Sequence, residues 1–305
     1  MARETLPSGD LRPAVIGRRN TRVSRSLWRD AGWRLAHNPA AVVGAVILLV
    51  LVVTAVFASF LAPWPYDQGT FAITEPPGPE HLFGTDDLGR DELSRLIYGA
   101  QISMSVGLIS QSIVLVIGFS VGALAGYFAG KTDFAIMRLT DVVFAIPSVL
   151  FALLLMSLLG RTTSNLFIAI GLVSWPTLAR LVRAEFLRLR SLEFVQAARL
   201  VGASDTRIIL AHLLPNVLAP VLVAITFGIP QAIIAEAFLS FIGIGAPPPV
   251  PSWGLMLNDG FRWLRVSPHL VLFPGVAIAL TLLSFNFLGD ALRDALDPRQ
   301  RGASS

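Results

Sequence analysis

The chain has 305 residues, of which 54% are hydrophobic and 14% charged, and its formal net charge at pH 7 is +4. Soluble domains carry about one quarter charged residues, so this composition excludes an ordinary soluble protein and indicates an integral membrane protein. Cysteine is absent, which excludes disulfides, metal–thiolate sites and thiol catalysis.

The first 39 residues form a basic arm that contains eight arginines. Few large apolar residues precede Leu27, so we expect a mostly flexible segment with an interfacial helix near 27–35. The apolar run that follows, 40–61, has 22 residues. It is too long for the core of a signal peptide, which has about 7–15 residues, and therefore predicts an uncleaved first span.

Six uncharged stretches are long enough to cross a hydrocarbon core of about 30 Å as helices. These predicted spans are 40–61, 101–130, 142–159, 162–179, 213–235 and 270–289. The sequence thus predicts an all-α integral membrane protein with six transmembrane helices. Its predicted divisions are the arm at 1–39, the first helix with an external loop at 40–100, a transmembrane domain at 101–290 and a tail at 291–305.

The segment between the first two spans divides into two parts. Residues 61–84 are rich in proline and glycine, which predicts an irregular external loop. Residues 86–99 have apolar side chains at helical spacing. We therefore expect a short, separate amphipathic helix along the outer surface before span two.

Glycines recur every four residues in span two, at Gly118, Gly122, Gly126 and Gly130. This spacing places them on one face of a helix, where small residues let another helix approach closely. We predict a helix-packing face there, either within the chain or between subunits. The prolines expected to bend spans three to six are Pro147, Pro176, Pro230 and Pro274.

The distribution of positive charge predicts the orientation. With six spans, 19 of the 24 Lys and Arg residues fall on the face that carries both termini and the loops after spans two and four. Positive charge resists translocation, so this face is expected to be cytoplasmic. The segment 191–215, between spans four and five, is then cytoplasmic as well.

No segment carries a convincing enzyme motif. Gly130-Lys131-Thr132 resembles the end of a phosphate-binding loop, but the spacing from Gly126 is one residue short and a strand should precede it. The four histidines are far apart in sequence, so no metal site is predicted. Glu236 is an acid inside span five and therefore a functional candidate. A gate or subunit contact and a solvated cap near the outer boundary remain equal alternatives for Glu236.

The segment 191–215 has the pattern of two short helices around Gly202, which is placed to end the first helix in a left-handed turn. Ser204 or Asp205 would cap the second helix, and Pro215 would end it. The residues at i, i+3, i+4 and i+7 spacing are Phe194, Ala197, Ala198 and Val201. This stripe is too small to form a core alone, so we expect it to be buried against a cytoplasmic partner. A hairpin with a purely internal packing role is the alternative.

A DNA-binding helix-turn-helix has a similar pattern. Both ends of this hairpin are tethered to membrane spans, so we predict no nucleic-acid partner.

The stretch QAARLVGASDTRIILAHLLP (196–215) resembles the EAA loop of ABC-importer permeases, in which E-A-A is followed by three residues, a glycine, nine residues and I-x-L-P. Gln196 replaces the glutamate and His212 the isoleucine, while the spacing is intact. Three further stretches resemble signatures of dipeptide/oligopeptide ABC permeases, namely HLFGTDDLGRDELSRLIYGAQISMSVG (81–107), AEAFLSFIGIGAPPPVPSWGLML (235–257) and LLSFNFLGDALRDALDP (282–298). The short external loop resembles that of the second, C-type subunit.

This resemblance implies the type I ABC-importer permease fold and a place in the cytoplasmic membrane of a prokaryote. The chain would form half of a peptide pathway with a second permease subunit, two cytoplasmic ATPase subunits and an extracytoplasmic substrate-binding protein. No catalytic residue or cofactor is expected on this chain, because ATP and magnesium would bind to the ATPases. The expected ATPase-coupling residues are Phe194, Gln196, Ala197, Ala198, Val201, Gly202, Ala203, Asp205, Leu214 and Pro215.

Three alternatives stay open. A free-standing secondary transporter would be expected to show two similar halves and ionisable residues near the midplane. A non-transporting membrane scaffold could recruit a soluble partner through the same hairpin. A permease of the same family could carry nickel or another small solute.

Overall fold

The computed structural model describes residues 27–296, and the regular secondary structure of this part is helical. The first half contains α1 (Leu27–His37), α2 (Pro39–Val56), α3 (Ala58–Leu61), α4 (Glu92–Phe128), α5 (Gly130–Ala145) and α6 (Ser148–Leu159). The second half contains α7 (Thr163–Arg190), α8 (Glu193–Leu200), α9 (Asp205–Arg207), α10 (Leu214–Phe241), α11 (Trp253–Phe261) and α12 (His269–Leu296). The flexible arm predicted before α1 and the last residues of the tail lie outside the described residues.

Five helical stretches of the described chain are long and apolar enough to cross a membrane: α2, α4, α7, the stretch from α9 through α10, and α12. The pair α5 and α6, bent by 89°, makes up to six if it counts as one span. The bend falls at Ile146 and Pro147, where ψ of Ile146 is 126°. Proline disfavours helical backbone in the residue before it, which explains the break. The prolines in the later spans, Pro176, Pro230 and Pro274, lie within continuous helices.

The prediction of a separate helix over 86–99 is wrong. α4 starts directly after Asp91 and continues through the whole second span. Asp91 caps this start, because its carboxylate accepts a hydrogen bond from Ser94 N at 2.7 Å. The helix continues through Gly99, and the indole of Trp253 packs against this glycine, 3.0 Å from the place of a Cβ. The amphipathic segment is therefore the first part of one long helix.

The bundle is built around the pair α4 and α7, which make the most extensive helix contact. α10 packs against both, and α12 packs against α2, α10 and α11. The outward side of α2 is aliphatic, with Val46, Leu49, Val50 and Val53 exposed. Such a surface suits lipid, because hydrocarbon chains offer no partner for polar groups.

A buried ion network holds the loop before α4 to α11. Arg90 Nε donates to Asp86 Oδ2 at 2.6 Å, and Arg95 Nε lies 3.3 Å from the same oxygen. Arg95 Nη2 also lies 3.4 Å from Asp259 Oδ2 on α11. Burial raises the pKa of the Asp259 carboxyl, whereas the guanidinium groups of Arg95 and Arg90 lower it. The local sequence does not mark these charges as buried, because Asp259 lies far along the chain.

Candidate functional site

The segment between α7 and α10 folds as a helical hairpin, 193–213. α8 ends in a Schellman motif, in which Ala203 N donates to Ala198 O at 3.0 Å and Gly202 N donates to Arg199 O at 3.0 Å. Gly202 has a φ of +81°, a conformation that L side chains adopt rarely. The turn at Gly202 is therefore the tight, defined turn that the sequence predicts.

The second arm of the hairpin differs from the prediction. Ser204 caps it, since its hydroxyl accepts from Arg207 N at 3.4 Å. The short α9 then passes through a π-helical turn, Ile208–Leu213, directly into α10. Pro215 does not end the helix, because it lies directly after the π-helical turn and the backbone stays helical through it. The second arm and span five therefore form one continuous stretch, Asp205–Phe241.

The inner face of α8 is part of the core of the chain. Val195 and Ala198 are 0% and 9% exposed, and they pack in one cluster with Phe186, Ile208 and Leu213. This cluster joins α8 to α7 and to the second arm of the hairpin. A helix of eight residues buries little by itself, so the hairpin is stable only because it packs against the bundle.

The outer face of α8 carries exposed apolar side chains. Phe194, Leu200 and Val201 are 43%, 89% and 84% exposed, and Ala197 is exposed between them. The predicted stripe is thus divided: Ala198 points inward, whereas Phe194, Ala197 and Val201 point outward. Leu200, which the sequence prediction did not include, is the most exposed member of this outer face. We call Phe194, Ala197, Leu200 and Val201 the α8 outer face.

Polar contacts around Tyr127 attach the hairpin to the end of α4. Tyr127 Oη donates to Asp205 Oδ1 at 2.5 Å. The guanidinium of Arg199 lies 5.4 Å from the centre of the Tyr127 ring. Arg190, at the end of α7, donates to Tyr127 O at 2.9 Å and so binds one of the last carbonyls of α4. Asp205 therefore connects elements rather than capping a helix, and Tyr127 is a residue that the sequence prediction missed.

The remaining positions of the predicted coupling set have local structural roles. Gln196 is exposed, and its Nε2 donates to Ser191 O at 3.1 Å across the turn between α7 and α8. A glutamate carboxylate could not donate this bond, so glutamine suits this turn. Ala203 packs against the core of the hairpin, and Leu214 is half-buried at the start of α10.

The glycine face of α4 lies against α7 within the chain. Cβ atoms added at Gly118, Gly122 and Gly126 would lie 2.9, 2.8 and 2.6 Å from the Cβ atoms of Leu178, Val182 and Phe186. No larger residue fits between these helices without a shift of the backbone. Gly130 was predicted to belong to this face but does not. It lies beyond the end of α4, with a φ of +58° and no atom within 4 Å of an added Cβ.

Glu236 is buried within the chain, which excludes the solvated cap and the subunit contact predicted for it, while a role as a gate stays a prediction. It is 0% exposed, so neither water nor another subunit touches it. Ser240 Oγ donates to Glu236 Oε1 at 2.6 Å, and Ser103 Oγ on α4 lies 3.4 Å from Oε2. Ser103 Oγ also accepts from Trp253 N at 3.3 Å. Glu236 therefore helps to hold α4, α10 and α11 together.

Two further polar residues of the spans, Thr177 and Gln231, line a cleft between α7 and α10. The sequence offers one sign of this cleft, because Gln231 is an amide within an otherwise apolar run. Over residues 27–296, no group of three or more His, Asp or Glu side chains is placed to hold a metal ion.

The fold is similar to that of solved ABC transporter permeases. It matches a chain of the structure described as inward facing conformations of the MetNI methionine ABC transporter, with a TM-score of 0.55 and 17% identity over 67% of this chain and 96% of that chain. A second crystal form of MetNI gives a TM-score of 0.54 at 19% identity, over 67% and 97% of the two chains. At these identities the similarity shows the fold, which is the type I permease fold that the sequence predicts.

Relatives at higher identity show the family. Residues 118–302 match the family described as binding-protein-dependent transport system inner membrane component, and 26–77 match the N-terminal TM domain of oligopeptide transport permease C. The chain is 42% identical to the dipeptide transport system permease protein DppC of Alkalihalophilus pseudofirmus, over 90% of this chain and 91% of that protein. It is 37% identical to the oligopeptide transport system permease protein OppC of Bacillus subtilis, over 98% and 99%. It is 42% identical to the glutathione transport system permease protein GsiD of Escherichia coli, over 91% and 92%.

The chain therefore belongs to the family of binding-protein-dependent transport system inner membrane components, as its motifs predict.

Proposed function

We propose that this chain is the C-type permease subunit of an ATP-driven importer and forms half of a pathway for small peptides across the cytoplasmic membrane of a prokaryote. The names of its relatives, which are dipeptide, oligopeptide and glutathione permeases, support the substrate class. The α8 outer face supports coupling to ATP hydrolysis, because it is the surface that an ATPase subunit would contact.

The α8 outer face has the properties of a docking surface. Leu200 and Val201 are 89% and 84% exposed at the tip of a rigid turn, and Ala197 lets a partner approach the backbone. A contiguous patch of exposed apolar side chains, surrounded by polar residues, is typical of a protein-binding site. The bias of Lys and Arg supports a cytoplasmic position for this hairpin, where the ATPases would be.

The partners divide the work of transport. Two ATPase subunits would bind ATP and magnesium and hydrolyse the nucleotide, so this chain needs no catalytic group of its own. A second permease subunit would complete the pathway, and an extracytoplasmic binding protein would deliver the peptide. Both termini of this chain would lie in the cytoplasm.

The contacts of the hairpin suggest how movement of the ATPases reaches the spans. The second arm continues into α10 without a break. The bond from Tyr127 to Asp205 ties the hairpin to α4, and Arg190 ties the end of α7 to the same point. A displacement of the hairpin would therefore move three membrane-spanning helices together.

Uptake in vesicles tests this function. The complete complex, purified with its ATPases and reconstituted in liposomes, should take up a labelled dipeptide only with ATP and the binding protein present. A proton or sodium gradient without ATP should give no uptake. Uptake driven by such a gradient in the absence of ATP would contradict the proposal and support a secondary transporter.

A further inference from the structure

A cleft lies along the face that α7 and α10 share. It consists of two adjacent cavities of about 490 and 750 Å³ that share lining residues. The residues that line both are Thr177, Leu181, Ala224, Gly228 and Gln231. The first cavity extends to the break between α5 and α6, and the second extends to the ends of α7 and α12 near the hairpin. Each volume lies within the range of small-molecule sites, about 300–1,000 Å³.

The middle of the cleft presents neutral hydrogen-bonding groups. Thr177, near the midpoint of α7, and Gln231 on α10 are both exposed there. Gln111 and Ser174 also line the first cavity, and each donates a hydrogen bond within the chain. Gln111 Nε2 donates to Gly228 O at 3.0 Å, and the Ser174 hydroxyl donates to a carbonyl of its own helix at 2.8 Å. Thr177 and Gln231 are the exposed, uncharged polar side chains that line both cavities.

This face is unsuited to lipid. An amide or hydroxyl without a partner is costly in hydrocarbon. The exposed side chains of α2, such as Leu49 and Val50, are aliphatic by contrast. The face with Thr177 and Gln231 therefore turns toward water or another chain, whereas that side of α2 turns toward lipid.

Charged side chains occur only at one end of the cleft. The residues that line the first cavity are uncharged. In the second cavity, Arg188 Nη2 pairs with Glu185 Oε2 at 2.7 Å, and the Arg293 guanidinium lies 5.4 Å from the centre of the Phe227 ring. The middle of the cleft thus offers hydrogen bonds without a fixed charge.

We propose that this cleft is the chain's wall of the substrate path, and that Thr177 and Gln231 hydrogen-bond the backbone amides of a passing peptide. This inference rests on the proposed function and adds the chemistry of recognition. Amide and hydroxyl side chains both donate and accept, so they match the C=O and N–H groups that all peptides share. An uncharged wall does not select peptides by the charge of their side chains. The same permease can therefore carry peptides of varied sequence.

A charge introduced at Gln231 tests this recognition. Uptake of matched dipeptides that contain Asp, Ala or Lys is measured for the complete complex with Gln231→Glu, Gln231→Lys and the neutral control Gln231→Met. We expect Gln231→Glu to raise the ratio of Lys-peptide to Asp-peptide uptake about tenfold, and Gln231→Lys to lower it, because a charge on the path attracts one peptide and repels the other. Gln231→Met should leave the ratio unchanged. A purely structural role would lower uptake of all three peptides equally.

The absence of cysteine from the chain allows a second test. Thr177→Cys and Gln231→Cys should react with a water-soluble thiol reagent, more slowly when peptide and binding protein are present, since the thiolate reacts only where water reaches it. The control Val50→Cys, on the exposed side of α2, should not react.

Two results would overturn the inference: unreactive cysteines at both cleft positions in a complex that still transports, or unchanged peptide ratios in both charged variants. Failure of the wild-type complex to take up any peptide with ATP contradicts the proposed function instead.

Discussion

Ala197 and Ala198 are neighbours in α8 but differ in burial. Ala198 is 9% exposed and packs in the core of the hairpin, whereas Ala197 is exposed beside Leu200. The two alanines are chemically identical, so the same substitution at each position separates docking from folding.

Ala197→Arg should prevent docking while the chain still folds. The larger charged side chain would be buried unpaired against the ATPase, which costs several kcal/mol. We expect at least a tenfold loss of ATPase that co-purifies with the permease in detergent, with a normal amount of inserted chain. Ala198→Arg should instead place the charge in the chain's own core and reduce the inserted chain itself. Equal ATPase occupancy for wild type and Ala197→Arg would show that the α8 outer face is not the docking surface.

The Tyr127 hydroxyl provides a test of coupling that leaves docking intact. Tyr127→Phe removes only the bond to Asp205, and a hydrogen bond to a charged group contributes about 1.5–3 kcal/mol. We expect ATPase co-purification to be unchanged while the number of ATP molecules consumed per peptide rises several-fold. Tyr98→Phe, at the far end of the same helix, is the matched control and should not alter this ratio. Unchanged coupling in Tyr127→Phe would remove the hydroxyl from the mechanism.

For single residues, the sequence predicts which positions matter better than it predicts which way their side chains point. Gly202 was expected to make a left-handed turn, and its φ of +81° agrees. Helical spacing alone could not decide whether Val195 or Phe194 faces the core, because both neighbours are apolar and α8 has only eight residues. The role of Tyr127 depends on a contact with Asp205, 78 positions along the chain, which no local pattern reveals.

Among the helices of the described chain, α4 and α7 make the most extensive contact. The spacing of glycines indicated a close-packing face, and three of the four glycines lie at this contact. Gly130 follows the same spacing, but α4 ends before it, so the face stops at Gly126. Helix ends depend on caps and tertiary packing more than on periodicity. For the same reason, the sequence did not predict that α4 includes the segment before span two.

Gly122→Leu should force α4 and α7 apart. Overpacking of a tight core costs about 1–3 kcal/mol or more, and here an added Cβ already lies 2.8 Å from Val182 Cβ. We expect a lower thermal midpoint of the purified complex and less assembled complex in the membrane. Ser120→Leu introduces the same side chain at an exposed position of the same helix and should change neither. Equal effects of the two variants would contradict the packing role of Gly122.

The whole molecule combines apolar spans with an unequal distribution of positive charge. Hydropathy was sufficient to predict the membrane class and the approximate spans, because about 18 uncharged residues leave few alternatives. All four prolines were expected to bend their spans, but hydropathy did not separate Pro147, where α5 and α6 meet at 89°, from the three that lie within continuous helices. Nor did it predict the cleft, which forms only when α7 and α10 come together.

Reporter fusions test the orientation. Positive charge on one face should hold the hairpin and the C-terminus in the cytoplasm. A reporter active only in the cytoplasm should work when fused after Ser305 or inserted within 191–205, and should be inactive within 66–80. The opposite pattern at two of these sites would overturn the orientation.

Site-specific crosslinking from the α8 outer face tests the central claim most directly. A photo-crosslinking residue at Leu200, which is 89% exposed, is compared with one at Val195, which is 0% exposed on the same helix. In a complex that takes up peptide with ATP, we predict a crosslink from position 200 to the ATPase subunit and none from position 195. A transporting complex in which position 200 crosslinks only to lipid or to the second permease would contradict the account.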